Sequence, residues 1–202
     1  FKPKESVDAV LEDAAEMGLK VVRTWGNLDA GVKTDKVSDK GYTVFTDSVD
    51  GSGEKEGVYY QYFDADLGRP VVNEGEDGLQ KLDYALYKAE QEGIKLLITF
   101  TNNWEAFGGM GQYVQWAKLA GENVSGHDDF YTNETIKGWY KDYIKTLLNH
   151  ENVYTGVKYK DDPTIFSWEL ANEPRCESDA GCENNTVVKW ATEMSAYVKS
   201  ID

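Results

Sequence analysis

Asn172 and Glu173 stand side by side in Asn-Glu-Pro-Arg, directly after an apolar run. That run, Thr164-Ile165-Phe166-Ser167-Trp168, follows the break Asp161-Asp162-Pro163 and is bounded by Pro174. It reads as a short buried strand that delivers Asn172 and Glu173 to its C-terminal tip. On an eight-stranded β/α barrel that tip is where active sites lie. A carboxyl there, beside an amide and apolar neighbours, suits a general acid/base of the kind glycoside hydrolysis needs. A lone Glu at a strand end can equally do no more than accept a loop hydrogen bond; Asn-Glu-Pro after an apolar strand favours chemistry.

The elements that must position this pair alternate between helix and strand. Val7, Val10, Leu11, Ala14 and Ala15 form a helical stripe stopped by Gly18, and Leu19 to Trp25 follows as a strand. In that strand, alternation puts Val21, Arg23 and Trp25 on one face. Residues 26–76, rich in Gly, Asp and Tyr, read as a long irregular stretch with small strand pieces on the active-site side. Leu79, Leu82, Leu86 and Ala89 mark a second helix ending near Gly93, and Ile94 to Phe100 a second strand of the near-continuous apolar kind that parallel sheets bury. A loop from Thr101 to Tyr131 carries a short helix around Met110 to Leu119. Ile136, Trp139, Tyr140, Tyr143, Ile144 and Leu147 line a third main helix, and Val187, Val188, Ala191, Met194 and Val198 a fourth. The pattern predicts an α/β fold with a parallel sheet. Only three main parallel strands and four main helices are counted, whereas a complete β/α barrel holds eight of each.

Four segments carry a resemblance: Leu19 to Asn27 (LKVVRTWGN), Lys95 to Gly109 (KLLITFTNNWEAFGG), Tyr159 to Cys176 (YKDDPTIFSWELANEPRC) and Val187 to Asp202 (VVKWATEMSAYVKSID). In family order and nearly end to end, they resemble glycoside hydrolase family 5, within it the secreted endo-β-1,4-mannanases of fungi and plants. The resemblance implies a (β/α)8 barrel of which residues 1–202 supply the N-terminal part of a single catalytic domain, about strands two to four with helices one to four. It implies endo-hydrolysis of β-1,4-mannosidic bonds in mannan, galactomannan or glucomannan by a retaining double displacement. Glu173 would be the acid/base proton donor. The nucleophile, a second Glu on the seventh strand, would lie outside this chain, so the isolated 202-residue chain is expected to be inactive. Apolar strands at 19–25 and 164–170 fit a truncated barrel better than a natural half-barrel with blunted edges.

By the same resemblance, Arg23 is the active-site arginine that bonds to the nucleophile and keeps it ionised; alternation offers Glu169 as a structural partner instead. Trp25 becomes a sugar-stacking wall, or else core packing. Asn172 holds the 2-hydroxyl of the sugar at the cleaved bond, a contact that strengthens in the transition state. Trp104 corresponds to another sugar-contacting position, and Arg175 to an arginine on the leaving-group side. Tyr59, Tyr60 and Tyr62 either line the cleft or pack the loop down. Two other readings stay open: a β-1,4-glucanase of the same family, and a non-catalytic sugar-binding half-barrel.

A net charge of −15 argues against nucleic acid, whose phosphates demand a basic surface, and is indifferent to a neutral polysaccharide. No run of about 18 apolar residues is present to span a membrane, and any signal peptide would lie outside this sequence. His127 and His150 are the only histidines and lack ligand spacing, so no metal and no cofactor are expected. Cys176 and Cys182 could close a small disulfide ring, worth roughly 2 kcal/mol on the loop-entropy model. With sequons at Asn123, Asn133 and Asn184, the cysteine pair points to an extracellular glycoprotein. The expected partner is a β-mannan chain, bound by a monomer.

Overall fold

Short apolar runs that alternate with helices have one economical arrangement: parallel strands side by side, with helices packed against them. The computed structural model, which describes residues 3–178 and 185–202, has that arrangement. In chain order its elements are α1 (Lys4–Glu16), β1 (Val21–Trp25), β2 (Asp29–Val37), β3 (Thr43–Thr46), β4 (Gln61–Asp64), β5 (Arg69–Val72), α2 (Gln80–Gln91), β6 (Lys95–Thr99), α3 (Gly109–Leu119), α4 (Asp129–Thr132), α5 (Glu134–Asn149), β7 (Ile165–Glu169) and α6 (Thr186–Lys199). Strands β1, β6 and β7 form a parallel sheet in that order, joined by crossovers that contain the helices.

The register of this sheet sets up the site. Trp25 lies level with Thr99, and Thr99 with Glu169; one step back, Arg23 lies level with Leu97 and Leu97 with Ser167. Residues two apart share a face, so Arg23, Trp25 and Glu169 face the same side. Near its start β7 advances from Ile165 to Ser167 while β6 advances by one residue, which makes Phe166 the extra residue of a bulge. The opposite face carries the core. Phe100 stacks on Trp168 with ring centroids 4.8 Å apart and planes 3° from parallel. Farther out, Tyr113, Phe130, Tyr140 and Trp190 knit α3, α4, α5 and α6 together through tilted and edge-on ring contacts.

The stretch after β1 is more ordered than the irregular segment expected. Strands β2 to β5 make a separate four-stranded sheet, in the order β3-β2-β4-β5, over most of residues 29–72. Its short strands and shifted registers explain why simple alternation does not reveal it. Tyr59 and Tyr60 are buried in this region, and Tyr59 packs edge-on against both Phe45 and Tyr62, so the tyrosine run pins the segment down. The α4 turn also escaped the periodicity, being only four residues long.

Asn133 caps α5: its side chain accepts from Ile136 N at 3.0 Å, and its Nδ2 donates to Glu122 Oε2 at 3.3 Å. Of the other sequon asparagines, Asn123 is exposed and Asn184 lies outside the described residues. The expected Cys176–Cys182 bond involves Cys182, which also lies outside them.

His150, at the end of α5, is held between two carboxylates. Its Nδ1 lies 2.7 Å from Glu74 Oε2 and its Nε2 3.0 Å from Asp83 Oδ1, and Tyr159 donates its hydroxyl to the same Asp83 oxygen at 2.6 Å. Burial opposes protonation of the ring, but the carboxylates of Asp83 and Glu74 outweigh it and raise the imidazole above its ordinary 6.5. Stability from a raised histidine is fully present below the unfolded value, near 6.5, and is lost as pH rises through the higher folded value. The advantage of the native protein over His150→Gln in thermal melts should therefore be larger at pH 5.5 than at pH 8.5. A gap that stays constant across that range would show that no imidazolium is held there.

Candidate active site

The strand β7 ends at Glu169, and the chain beyond it is tied to the segment after β6 by parallel bonding. Phe100 N donates to Glu169 O at 2.9 Å, Asn172 N to Thr101 O at 2.8 Å and Asn103 N to Asn172 O at 3.0 Å. This bridge fixes the two tips side by side. Continuing the alternation of β7 as far as residue 173 puts Glu173 on the face of Glu169; the chain instead turns, and Glu173 takes φ +48°. A left-handed non-glycine residue is uncommon and strained, and such strain clusters at functional sites.

The turn leaves the Glu173 carboxylate exposed with two donors on one oxygen. Trp104 Nε1 donates to Oε2 at 2.9 Å and the Arg175 guanidinium at 3.1 Å. Arg175 also lies over the Trp104 ring, 5.0 Å from its centroid. Trp104 and Arg175, which the resemblance sets against sugar, thus both engage the candidate acid/base. The backbone of Arg175 is held in turn: its N donates to Asn103 Oδ1 at 3.1 Å and its O accepts from Tyr131 at 3.0 Å.

Among the described residues Arg23 pairs with Glu169. Its Nε and one terminal nitrogen donate to Glu169 Oε2 at 2.9 and 2.6 Å, and the same nitrogen reaches Asn172 Oδ1 at 3.0 Å. Asn172 Nδ2 donates to Asn102 Oδ1 at 2.9 Å. Each amide atom of Asn172 is thereby oriented while keeping capacity for one further bond, a second N–H and a second lone pair. Trp25 sits beside this network, half-buried, with the Arg23 guanidinium 5.4 Å from its ring and the Phe107 ring at 5.3 Å. A cavity of about 540 Å³ opens between β1 and the helices α1 and α2; Arg23, Trp25 and Phe107 line it, as do Val7, Leu11 and Tyr84. Glu173 and Trp104 lie apart from this cavity, on the open surface at the strand tips.

Residues that the sequence reading passed over hold the loops behind the site. His127 places Nε2 3.0 Å from Asn103 O and Nδ1 3.0 Å from Asp128 Oδ1. Asp128 also accepts from the backbone of Glu177 and Ser178 and from the Ser178 hydroxyl. Burial alone would raise its carboxyl, but bonds from His127, Glu177 and Ser178 prevail and bring it down to about 2. Asp29, almost fully buried, accepts from Gln61, Asn27 and Gly109 N; burial pushes its carboxyl up to about 7 against the pull of those donors. The His127-Asp128 pair was visible in the sequence, but nothing local names its distant partners or those of Asp29. Among the described residues no group of three or more His, Cys, Asp or Glu side chains is placed to hold a metal ion.

Comparison with known proteins places this geometry in a family. A family model described as GH family 5 beta-mannosidase-like matches residues 71–202. The chain is 39% identical to mannan endo-1,4-beta-mannosidase 7 of Arabidopsis thaliana over 98% of its own length and 38% of that protein's. Mannan endo-1,4-beta-mannosidase F of Aspergillus clavatus is 38% identical over 97% of this chain and 37% of its own. Among solved structures, an endo-1,4-beta-mannanase from Rhizomucor miehei superposes with a TM-score of 0.79 at 38% identity, covering 100% of this chain and 50% of that one. The hyperthermostable endo-1,4-beta-D-mannanase of Thermotoga petrophila gives 0.72 at 41% identity, again over 100% and 50%. The chain thus spans well under half the length of the curated relatives quoted and half of these solved chains, and its parallel strands and helices are a partial β/α barrel. With the strand-tip Asn-Glu-Pro in place and a family match over residues 71–202, this chain belongs to glycoside hydrolase family 5, in its β-mannosidase-like group.

Proposed function

We propose that the whole protein cleaves internal β-1,4-mannosidic bonds of mannan, galactomannan or glucomannan, with retention of configuration and Glu173 as acid/base. The observation that carries this reading is the Glu173 carboxylate, exposed at the tip of a barrel strand with Trp104 and Arg175 donating to it and Asn172 next in sequence. Residues 1–202 would be one part of a single catalytic barrel. The second carboxyl, the nucleophile, would come from the seventh strand, outside the three strands of this sheet.

In the first step Glu173 would donate its proton to the glycosidic oxygen as the nucleophile attacks the anomeric carbon. In the second it would take a proton from water, which attacks the same carbon and releases the sugar. Trp104 Nε1 and Arg175, both donating to Glu173 Oε2, would hold the carboxylate in place between steps. Asn172, oriented by Arg23 and Asn102, has an N–H and a lone pair to offer the sugar hydroxyl beside the reacting carbon. Trp25 and Trp104 present flat indoles that suit the apolar face of a pyranose. A neutral polymer needs no charge complement, so a protein of net charge −15 is compatible with it.

We further propose that the protein is secreted and acts as a monomer without metal or cofactor. No helix among the described residues is long and apolar enough to cross a membrane.

The direct test is the full-length protein assayed on mannan and on a soluble β-1,4-glucan. A faster fall in viscosity than in reducing-end release, on mannan and not on glucan, is expected of internal cleavage. Preference for glucan would move the substrate assignment to its epimer, and binding without cleavage would make this a sugar-binding protein.

A further inference from the structure

Asp29 has no part in the chemistry just described, yet it lies at the root of the loop that delivers Trp104. The first residue of β2, it has 4% of its surface exposed. Its Oδ1 accepts from Gln61 Nε2 at 2.8 Å, and its Oδ2 from Gly109 N at 3.1 Å and Asn27 Nδ2 at 3.3 Å. Its own N donates to Phe107 O at 2.9 Å, an oxygen that also accepts from Asn27 Nδ2 at 3.2 Å. One side chain and its neighbour thereby hold residues 107 and 109 together.

Those residues close a strained turn. Phe107, Gly108 and Gly109 take φ of +65°, +88° and +59° in succession, left-handed conformations that cost a phenylalanine energy and are open to glycine. The turn is wedged on both sides. A Cβ on Gly108 would lie 2.6 Å from Asp29 Cβ, and one on Gly109 2.4 Å from Asn102 O. Asn102 ties the other end, accepting from Trp104 N at 3.2 Å and donating to Ala106 O at 3.0 Å. Asp50 Oδ2 adds a bond from Phe107 N at 3.0 Å, while Asn102 near the sheet tips and Asp29 at the start of β2 anchor the two ends of the segment 102–109. Trp104 hangs between them, with its indole N–H on Glu173.

We propose that Asp29 is a positioning residue for the acid/base: its buried carboxylate pins the turn at residues 107–109, which sets the indole of Trp104 against Glu173 and backs Trp25 with the Phe107 ring. This rests on the reading of Glu173 given above. A carboxylate suits the place because three N–H donors converge on it. An asparagine would turn one acceptor into a donor facing other donors.

The test uses the full-length enzyme at pH 8, with the Trp104 indole N–H assigned in ¹⁵N spectra by Trp104→Phe. In Asp29→Asn that resonance should move in the direction it moves in Glu173→Gln, and kcat per folded molecule on mannan should fall about tenfold with KM changed less than threefold. In a Trp104→Phe background, the same Asp29→Asn change should lower kcat less than twofold, the non-additivity expected of residues acting through one another. Asn27→Ala, which removes the amide link to Phe107 O and keeps the carboxylate, should shift the same resonance and serves if Asp29→Asn does not fold. An unmoved indole resonance in whichever variant folds, or an undiminished Asp29→Asn effect without Trp104, would overturn the proposal. A merely structural aspartate would lower the melting temperature and leave both the resonance and kcat per folded molecule as they were. If the wild type cleaves no mannan, the functional reading fails, while the resonance still decides the role of Asp29.

Discussion

Glu173→Gln in the full-length enzyme is expected to lower kcat on polymeric mannan by about 10²- to 10⁴-fold, the range for loss of a positioned proton donor. The amide has the shape of the carboxyl, can still accept from Trp104 Nε1 and cannot deliver a proton to the departing sugar oxygen. Aryl mannosides with acidic phenols need little protonation, so their first step should be nearly unchanged. Their second step still needs a base to activate water, and that base is gone. Such a substrate should give a rapid burst of phenol followed by slow turnover, with KM falling as the glycosyl-enzyme accumulates. Equal slowing of the first step for aryl and polymeric substrates would place the proton donor elsewhere.

Arg23→Lys is expected to reduce kcat/KM by about 10²- to 10³-fold, comparable to removing one preorganised donor from a reacting centre. The guanidinium uses two nitrogens on Glu169 and one of them again on Asn172, a planar fork that an ammonium does not reproduce. Asn172 would lose the bond that orients its oxygen, and Glu169 its partner. A lysine keeps a positive charge beside Glu169, so stability should change far less than turnover. Steady-state kinetics beside a thermal melt separate the two effects. A lysine variant with near-native kcat/KM would make Arg23 a strut for Glu169 with no bearing on turnover.

Much of the scaffold was legible because its parallel strands are short and apolar. Leu19 to Trp25, Ile94 to Phe100 and Thr164 to Trp168 contain or largely overlap β1, β6 and β7; alternation set Arg23 beside Trp25 within its strand, and the resemblance set Glu169 on the same inner side. The sheet of β2 to β5 was not legible, since three of its strands have only four residues and the pairings of the longer β2 shift register, which leaves no sustained period. At the site, Asn-Glu-Pro marked Glu173, but the turn to φ +48° that aims it toward Trp104 and Arg175 depends on bonding between the tips of β6 and β7. No local pattern encodes such a bridge. Asp29 was invisible for the same reason: its partners Gln61 and Gly109 are 32 and 80 residues away.

The most direct test of Glu173 as acid/base is anion rescue of Glu173→Ala in the full-length enzyme. Azide is a small nucleophile that needs no general base, so it can attack the glycosyl-enzyme where water cannot. On an activated aryl β-mannobioside, azide should accelerate steady-state turnover several-fold and yield the β-glycosyl azide, the product of two inversions. Turnover indifferent to azide, or an α-glycosyl azide from a single inversion, would contradict the assignment of Glu173 as acid/base.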